Sequence, residues 1–429
     1  MASLGDPAAG RARPRYLWLA GVCPHPIDGG MTSYSAGLSE SLAATGAEVV
    51  GIGLDPGRPP TAGMPAPAVR WTRVGGRRRS QAASLLSPLP NIAHSYALPA
   101  FRAALEGALA GGRWDAVIVE HLQMGWAHDL VHRWRADTGA PTALVHVSQN
   151  HETTVRREIA ASTPLSPRGL ALRLDAAKIA RLERRVVRES DLVTSITPAD
   201  DELFARDGDA ARVVVEPGYS GSRVPHRTIG PEVPRRVVIV GNLEWHVKRS
   251  NLDRFVAAAD APFAAAGIEL LVIGKAPEAY VRERAARLRA TRFVGFVPDL
   301  EATLAESRMG IVSEPNGGGF KLKSLDYVFH RLPIAVLDGS VSGLPLVPGE
   351  GYLGFPDEAS LAAGVVAAID DLDLLDRLQE NAYRASADAF SWEERGHRLR
   401  AAIDGARGSG PPGGQGYSGS AVNPMTTRE

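Results

Sequence analysis

The chain has 429 residues, which predicts two or three domains, each large enough to bury its own core. Its 48 Lys and Arg balance 48 Asp and Glu, so bulk charge gives no reason to expect nucleic acid, and no apolar run is long enough to span a bilayer. The only cysteine, Cys23, excludes an internal disulfide, fits a reducing cytoplasmic location and reads as structural, because a catalytic thiol needs a base partner.

Residues 1–13 carry no apolar segment, so they read as disordered rather than as a secretory signal. RYLWLAG, from Arg15, then reads as a buried strand. The loop VCPHPIDGG leads to a helix with Met31, Tyr34, Leu38 and Leu42 on one face. Gly46 closes that helix, and EVVGIGL follows as a second strand, which predicts a parallel pair with a right-handed crossover. Residues 55–98, rich in Pro, Gly and Arg, read as long loops with little regular structure. Further strands are expected at 114–121, 142–148 and 191–197, with a long helix at 165–189. Within these, His146 and Trp126 read as core.

Residues 217–234 shift to Pro, Gly and Ser and read as a linker between an N-terminal domain, 14–216, and a C-terminal one, 235–385. The second domain repeats the pattern: RRVVIVG, a helix at 250–266, IELLVIG, a helix at 278–290, then TRFVGFV, MGIVSEP and PIAVLDG. Helical residues 386–404 are placed to cross back to the first domain, and 405–429 read as a low-complexity disordered tail. The fold class expected is α/β, two doubly wound Rossmann-like domains facing a cleft at the carboxyl ends of their strands.

The segment GGGFKLKSLDYVFHRLPIAVLDGSVSGLPL, from Gly317, carries the most chemistry. Gly317, Gly318 and Gly319 run into a helical pattern that opens with Lys321 and Lys323. A glycine loop at a helix start favours anions, and two lysines there oppose the helix dipole unless an anion is bound. Asp326, a turn further on, reads either as an ion-pair partner of Lys323 or as an acceptor for vicinal sugar hydroxyls. That set suits a diphosphate beside a sugar.

These residues resemble the GT-B glycosyltransferases, and within them the retaining, metal-independent family-4 type, over about residues 15–404. GNLEWHVKRSNLDRF supplies Gly241 and Lys248; GGGFKLKSLDY supplies the glycines, Phe320, Lys321, Lys323 and Asp326; residues 293–312, with Val297, are similar to the nucleobase side. DGGMTSYSAGLSESLAATGAEV resembles the segment that approaches phosphate or acceptor, through Gly29, Gly30 and Met31, and VIVEHLQMG and VSQNHE stand where acceptor-side histidines occur. The resemblance implies a nucleotide diphosphate-sugar as donor substrate, no metal and no other cofactor. It implies catalytic roles for Lys248, Lys321 and a sugar-contacting histidine, taken as His151, with His121 orienting the acceptor. Of the two loop lysines, Lys321 is preferred for its place beside the glycines.

Two departures stand out. A carboxylate common in the family is Gly318 here, with Glu314 the candidate replacement, and a usual arginine is Asn242, which leaves phosphate neutralisation to the lysines. The acceptor stays open among natural products, pseudosugars, lipid-linked saccharides and polysaccharide intermediates. The basic loop from Arg70 to Ser80 reads first as solvated, and otherwise as meeting an anionic acceptor or a membrane surface peripherally. A nucleotide-sugar epimerase and a non-catalytic sugar-nucleotide binding module are the competing functions.

Overall fold

The computed structural model describes residues 13–27, 29–57, 67–314 and 319–408. The expectations for residues 1–12 and for the tail from 409, and the roles of Gly317 and Gly318, lie outside the described residues; residues 405–408, expected in the tail, are helical.

The N-terminal half alternates strands and helices: β1 (Arg15–Val22), α1 (Gly30–Ala44), β2 (Glu48–Leu54), β3 (Arg70–Val74), α2 (Gln81–Ser84), α3 (Asn91–His94), α4 (Pro99–Ala110) and β4 (Ala116–Glu120). A 3-10 turn (Leu122–Ala127) leads to α5 (His128–Thr138), β5 (Ala143–Val147), α6 (Glu152–Ser162), α7 (Pro167–Glu189), β6 (Leu192–Ser195), α8 (Pro198–Asp207) and β7 (Ala211–Val214). Its strands form one sheet in the order β3-β2-β1-β4-β5-β6-β7, every neighbouring pair parallel. β4 and β5 are buried at every residue, as continuous apolar runs covered on both faces should be.

The second half is β8 (Arg236–Val240), α9 (His246–Ala266), β9 (Glu269–Ile273), α10 (Glu278–Ala285), β10 (Thr291–Gly295), α11 (Leu300–Ala305), β11 (Met309–Val312), α12 (Lys323–Phe329), β12 (Ile334–Leu337) and β13 (Leu353–Phe355). Three helices follow, α13 (Glu358–Ala368), α14 (Leu372–Ser386) and α15 (Trp392–Gly408). Its sheet runs β10-β9-β8-β11-β12-β13, again all parallel. The architecture is the doubly wound pair the sequence predicts.

α15 returns to the N-terminal half. Leu399 and Ile403 join the core formed by Tyr16, Trp18 and Tyr34, and Trp392 covers Gly37 and Gly218, where any Cβ would overlap its ring. Arg395 and Arg398 donate to the backbone oxygens of Glu216 and Val214 at 3.0 and 3.1 Å.

Several expectations change. Residues 55–98 are not simply loops: β3 pairs with β2 from Val50↔Arg70 to Leu54↔Val74, and α2 and α3 follow. As an edge strand with only Val74 fully buried, β3 keeps three polar residues among five and hides its periodicity. α9 begins at His246, four residues before its expected start, and α10 ends at Ala285 rather than 290. The short strands β7 and β13 were not anticipated. α12 begins at Lys323, not Lys321, and has seven residues, so ammonium charge rather than a helix dipole dominates that site.

Candidate functional site

Each sheet reverses its winding once, between β1 and β4 in the first and between β8 and β11 in the second. Ligands of open α/β sheets bind at such switch points, beyond the carboxyl ends of the strands. A cavity of about 830 Å³ lies there, walled by both halves of the chain.

The C-terminal wall starts after β8. Gly241 donates to the Ile273 carbonyl at 2.9 Å, and Gly274, at φ +128°, comes so close that a Cβ on it would lie 2.0 Å from the Gly241 oxygen. Asn242 lines the cavity and turns its Oδ1 onto the Glu244 N–H at 3.0 Å. Lys248, on the first turn of α9, is half-buried in the same wall.

After β11 comes Glu314, its side chain only 11% exposed, in direct contact with the Lys323 ammonium, which is 8% exposed. Lys248 and Lys321 also act on this carboxyl. Burial opposes its ionisation, but the three lysines outweigh burial and hold it down at about 2. The lysines bear the reciprocal strain. Burial pulls Lys321 down to about 8 and lowers Lys248, with Glu314 resisting in both cases. Three lysines thus converge on one carboxylate in the wall of a cleft. Glu314 is therefore a counter-ion first, which the sequence does not reveal.

Asp326 faces the cavity from α12; burial raises its carboxyl, opposed by Tyr219 and His330. Phe320 lines the cavity and packs edge-on against Phe390 at 5.8 Å. It also lies where a Cβ on Gly343 would fall, at 2.9 Å, which accounts for that glycine in GSVSGLPL. Gly319, at φ +67°, presses on the N-terminal half: a Cβ there would sit 2.6 Å from the Gln149 carbonyl oxygen. Val297 does not reach the cavity. It follows edge strand β10, two strands from the switch point, and packs in the apolar cluster with Leu304 and Val312.

On the N-terminal wall, Gly29, Gly30 and Met31 open α1 against the donor-side loop, with Gly30 beside Leu322. His121 closes β4 at φ 60°, an uncommon conformation outside glycine. Its Nδ1 accepts from the Gln123 N–H at 3.4 Å and its Nε2 meets Glu152 Oε1 at 3.2 Å. Burial opposes the charge on Glu152, but His121 and Arg156 overcome it and hold the carboxyl at about 2. His121 is thus presented to the cleft by a fixed carboxylate.

His151 is a correction. It caps α6, with Nδ1 2.8 Å from Thr154 Oγ1, and its Nε2 lies 3.0 Å from Asp207 and 3.5 Å from Glu183. Its ring meets Phe204 edge-on at 5.1 Å, behind the cavity wall. The neighbouring residue Gln149 faces the cleft instead. Its Nε2 donates to Glu120 at 2.8 Å, and Glu120 also accepts from Trp18 Nε1 at 2.7 Å and from Ser35. Burial raises the Glu120 carboxyl against those three bonds. Sequence reasoning singled out the histidine in QNHE and passed over its Gln and Glu. It also missed Asn91 and Tyr96, which line the cavity together with Arg78 of the basic loop.

Among the described residues, two groups could offer three metal ligands, His128 with His132 and Glu189, and His151 with Glu183 and Asp207. Neither lines the cavity. Cys23 is buried, its thiol 3.3 Å from the Gly53 carbonyl, and burial pushes it up to about 11, in keeping with a structural role.

Residues 29–218 match the family described as glycosyl transferase 4-like domain, and residues 234–371 match glycosyl transferases group 1. Comparison with curated protein sequences gives no match. Among solved structures, sucrose-phosphate synthase from Thermosynechococcus elongatus superposes with a TM-score of 0.66 at 17% identity, covering 92% of this chain and 100% of that one. The catalytic domain of starch synthase IV from Arabidopsis thaliana, bound to ADP and acarbose, gives 0.62 at 12% identity over 93% and 100%. HepE from Anabaena, in complex with UDP-glucose, gives 0.58 at 13% over 91% and 99%. The chain thus carries a glycosyl transferase 4-like domain leading into a glycosyl transferases group 1 domain, and its two parallel sheets facing a cleft have the GT-B fold.

Proposed function

We propose that this protein is a retaining, metal-independent transferase of the family-4 type, which moves a sugar from a nucleoside diphosphate-sugar to an acceptor hydroxyl. The observation that carries this reading is the convergence of Lys248, Lys321 and Lys323 on Glu314 in the cleft wall. A diphosphate diester, with its negative charge spread over two phosphates, suits such a cluster of ammonium groups. A divalent cation would meet three ammonium groups instead. The solved relatives that hold ADP or UDP-glucose support the same donor class.

In this reaction the bond between the anomeric carbon and the diphosphate oxygen breaks, and its electron pair stays on the diphosphate. Lysines already in place stabilise that charge as it grows, without reorganisation. The acceptor oxygen attacks on the face the diphosphate leaves. Its proton passes to the departing phosphate, so the configuration is retained and no protein base is required. Asp326 accepts from the ribose hydroxyls. His121, held by Glu152, serves the sugar end, in the role the sequence assigned to His151. Gln149 and Gly319 close the two walls on each other and keep water from the donor.

Incubation with a panel of nucleotide sugars, read by nuclear magnetic resonance, tests this. A new glycoside with the donor's anomeric configuration is expected. An inverted product would remove the mechanism; a changed free nucleotide sugar would mean an epimerase; binding without any turnover would mean a non-catalytic module.

A further inference from the structure

The N-terminal mouth of the cleft is greasy and basic at once. Leu85 and Leu86, just after α2, are 46% and 96% exposed, and Leu165, just before α7, and Leu170 and Leu174, in its first turns, are 80%, 60% and 49% exposed. Leu170, Leu174 and Lys178 are four residues apart and share one face of α7. Lys178 Nζ donates to the carbonyl oxygens of Ser84, Leu85 and Ser87 at 2.9, 3.1 and 2.7 Å, which fastens the α2 loop to that face. The leucines of both elements therefore form one patch. The Asn91 N–H donates to Asp175 Oδ1 at 2.7 Å, and both residues line the cavity, so the patch borders the cleft mouth.

The charge around it is mainly basic, although Arg70, Arg73 and Arg156 are paired with Glu48, Asp55 and Glu152. Residues 67–105 contain six arginines and no Asp or Glu, and residues 153–182 contain six Lys or Arg against two acidic residues. In a chain of zero net charge these windows stand out, and Arg157 and Arg181 of the second are exposed. Arg77 and Arg79, on the loop that leads into α2, and Arg168, two residues before Leu170, are exposed.

We infer that this rim seats the protein on an anionic lipid surface, with the leucines entering the interface and the arginines meeting the headgroups. A second copy of the chain would bring like charges face to face, and a nucleic acid would leave the leucines in water. The docking rests on this surface alone. That it presents a lipid-borne acceptor to the cleft rests on the sugar-transfer reading above.

Co-sedimentation of the full chain with vesicles of phosphatidylcholine, with and without about one-third phosphatidylglycerol, tests it. Binding to the anionic vesicles is expected, weakening as salt rises from roughly 0.1 to 0.5 M. The double variant Leu86→Ser/Leu170→Ser should lose roughly tenfold or more in partitioning, and Arg77→Ala/Arg168→Ala should lose the preference for anionic lipid. All four side chains are exposed, so melting temperature and UDP affinity should stay unchanged. Failure to bind either vesicle, or equal binding by the leucine variant, overturns the inference. So does a dimer in sedimentation velocity that the leucine variant dissolves. Lost vesicle binding with UDP affinity intact leaves the proposed function standing; the reverse result removes that function and leaves the docking.

Discussion

Replacing Glu314 by Gln separates a counter-ion from a ligand contact. The carboxyl is 11% exposed, touches Lys323, and is held at about 2 against its own burial by three lysines. Removing one partner of a buried ion pair costs about 3–5 kcal/mol, because the other charge is left uncompensated. In a unit of this size each kcal/mol moves the melting temperature by about 2–4 °C, so a drop of roughly 6–20 °C is expected. One lysine can escape by losing its proton, and Lys321, already down to about 8, is the readiest. The variant's lysines then bind fewer protons folded than unfolded, so its stability rises with pH toward the ordinary lysine range. UDP should restore more stability to the variant than to the parent, since the anion replaces the missing negative charge. Differential scanning fluorimetry with and without UDP, across pH, reads all of this. A melting temperature unchanged by the substitution, together with weakened UDP binding, would refute the counter-ion assignment.

Lys321 also predicts opposite pH trends in the parent protein: with its folded value near 8, UDP affinity in calorimetry should fall as pH rises above 8, by up to about tenfold per unit. Stability of the unliganded protein gains from the same group between about 8 and 10.5, as its burial penalty relaxes. His151→Ala strips a partner from Glu183 and Asp207 and should cost roughly 1–3 kcal/mol in urea unfolding while UDP affinity holds. Gly319→Ala meets both φ +67° and the Gln149 oxygen, so about 1–2 kcal/mol of strain should loosen the two walls, seen as faster hydrolysis of bound donor by water.

Much of the fold was legible because its strands are short apolar runs bounded by glycine and proline, and doubly wound sheets bury such runs on both faces. β3 was not legible: an edge strand with a wet face keeps its arginines and looks like loop. At the site, Lys321 and Lys323 could be picked out because two lysines after a glycine run suit an anion, whereas Lys248 was legible only through the family resemblance and Asp326 read equally as an ion-pair partner of Lys323. Glu314 was visible only as a possible substitute for a missing carboxylate, since its lysine partners meet it through the fold. His151 misled because the residue after a strand end can face either way. Which of QNHE points into the cleft depends on α6, whose first residues are fixed by Glu183, 30 and 31 positions away.

Isothermal titration of UDP and ADP against the parent protein and the Lys248→Ala and Lys321→Ala variants puts the lysine cradle to the test. Binding by the parent is expected, with at least one of the two diphosphates, and a loss of roughly tenfold to a hundredfold in each variant, in line with about 1.5–3 kcal/mol for a hydrogen bond to a charged group. Equal affinity in parent and variants, with the fold intact by circular dichroism, would contradict the assignment of this cluster as the diphosphate site.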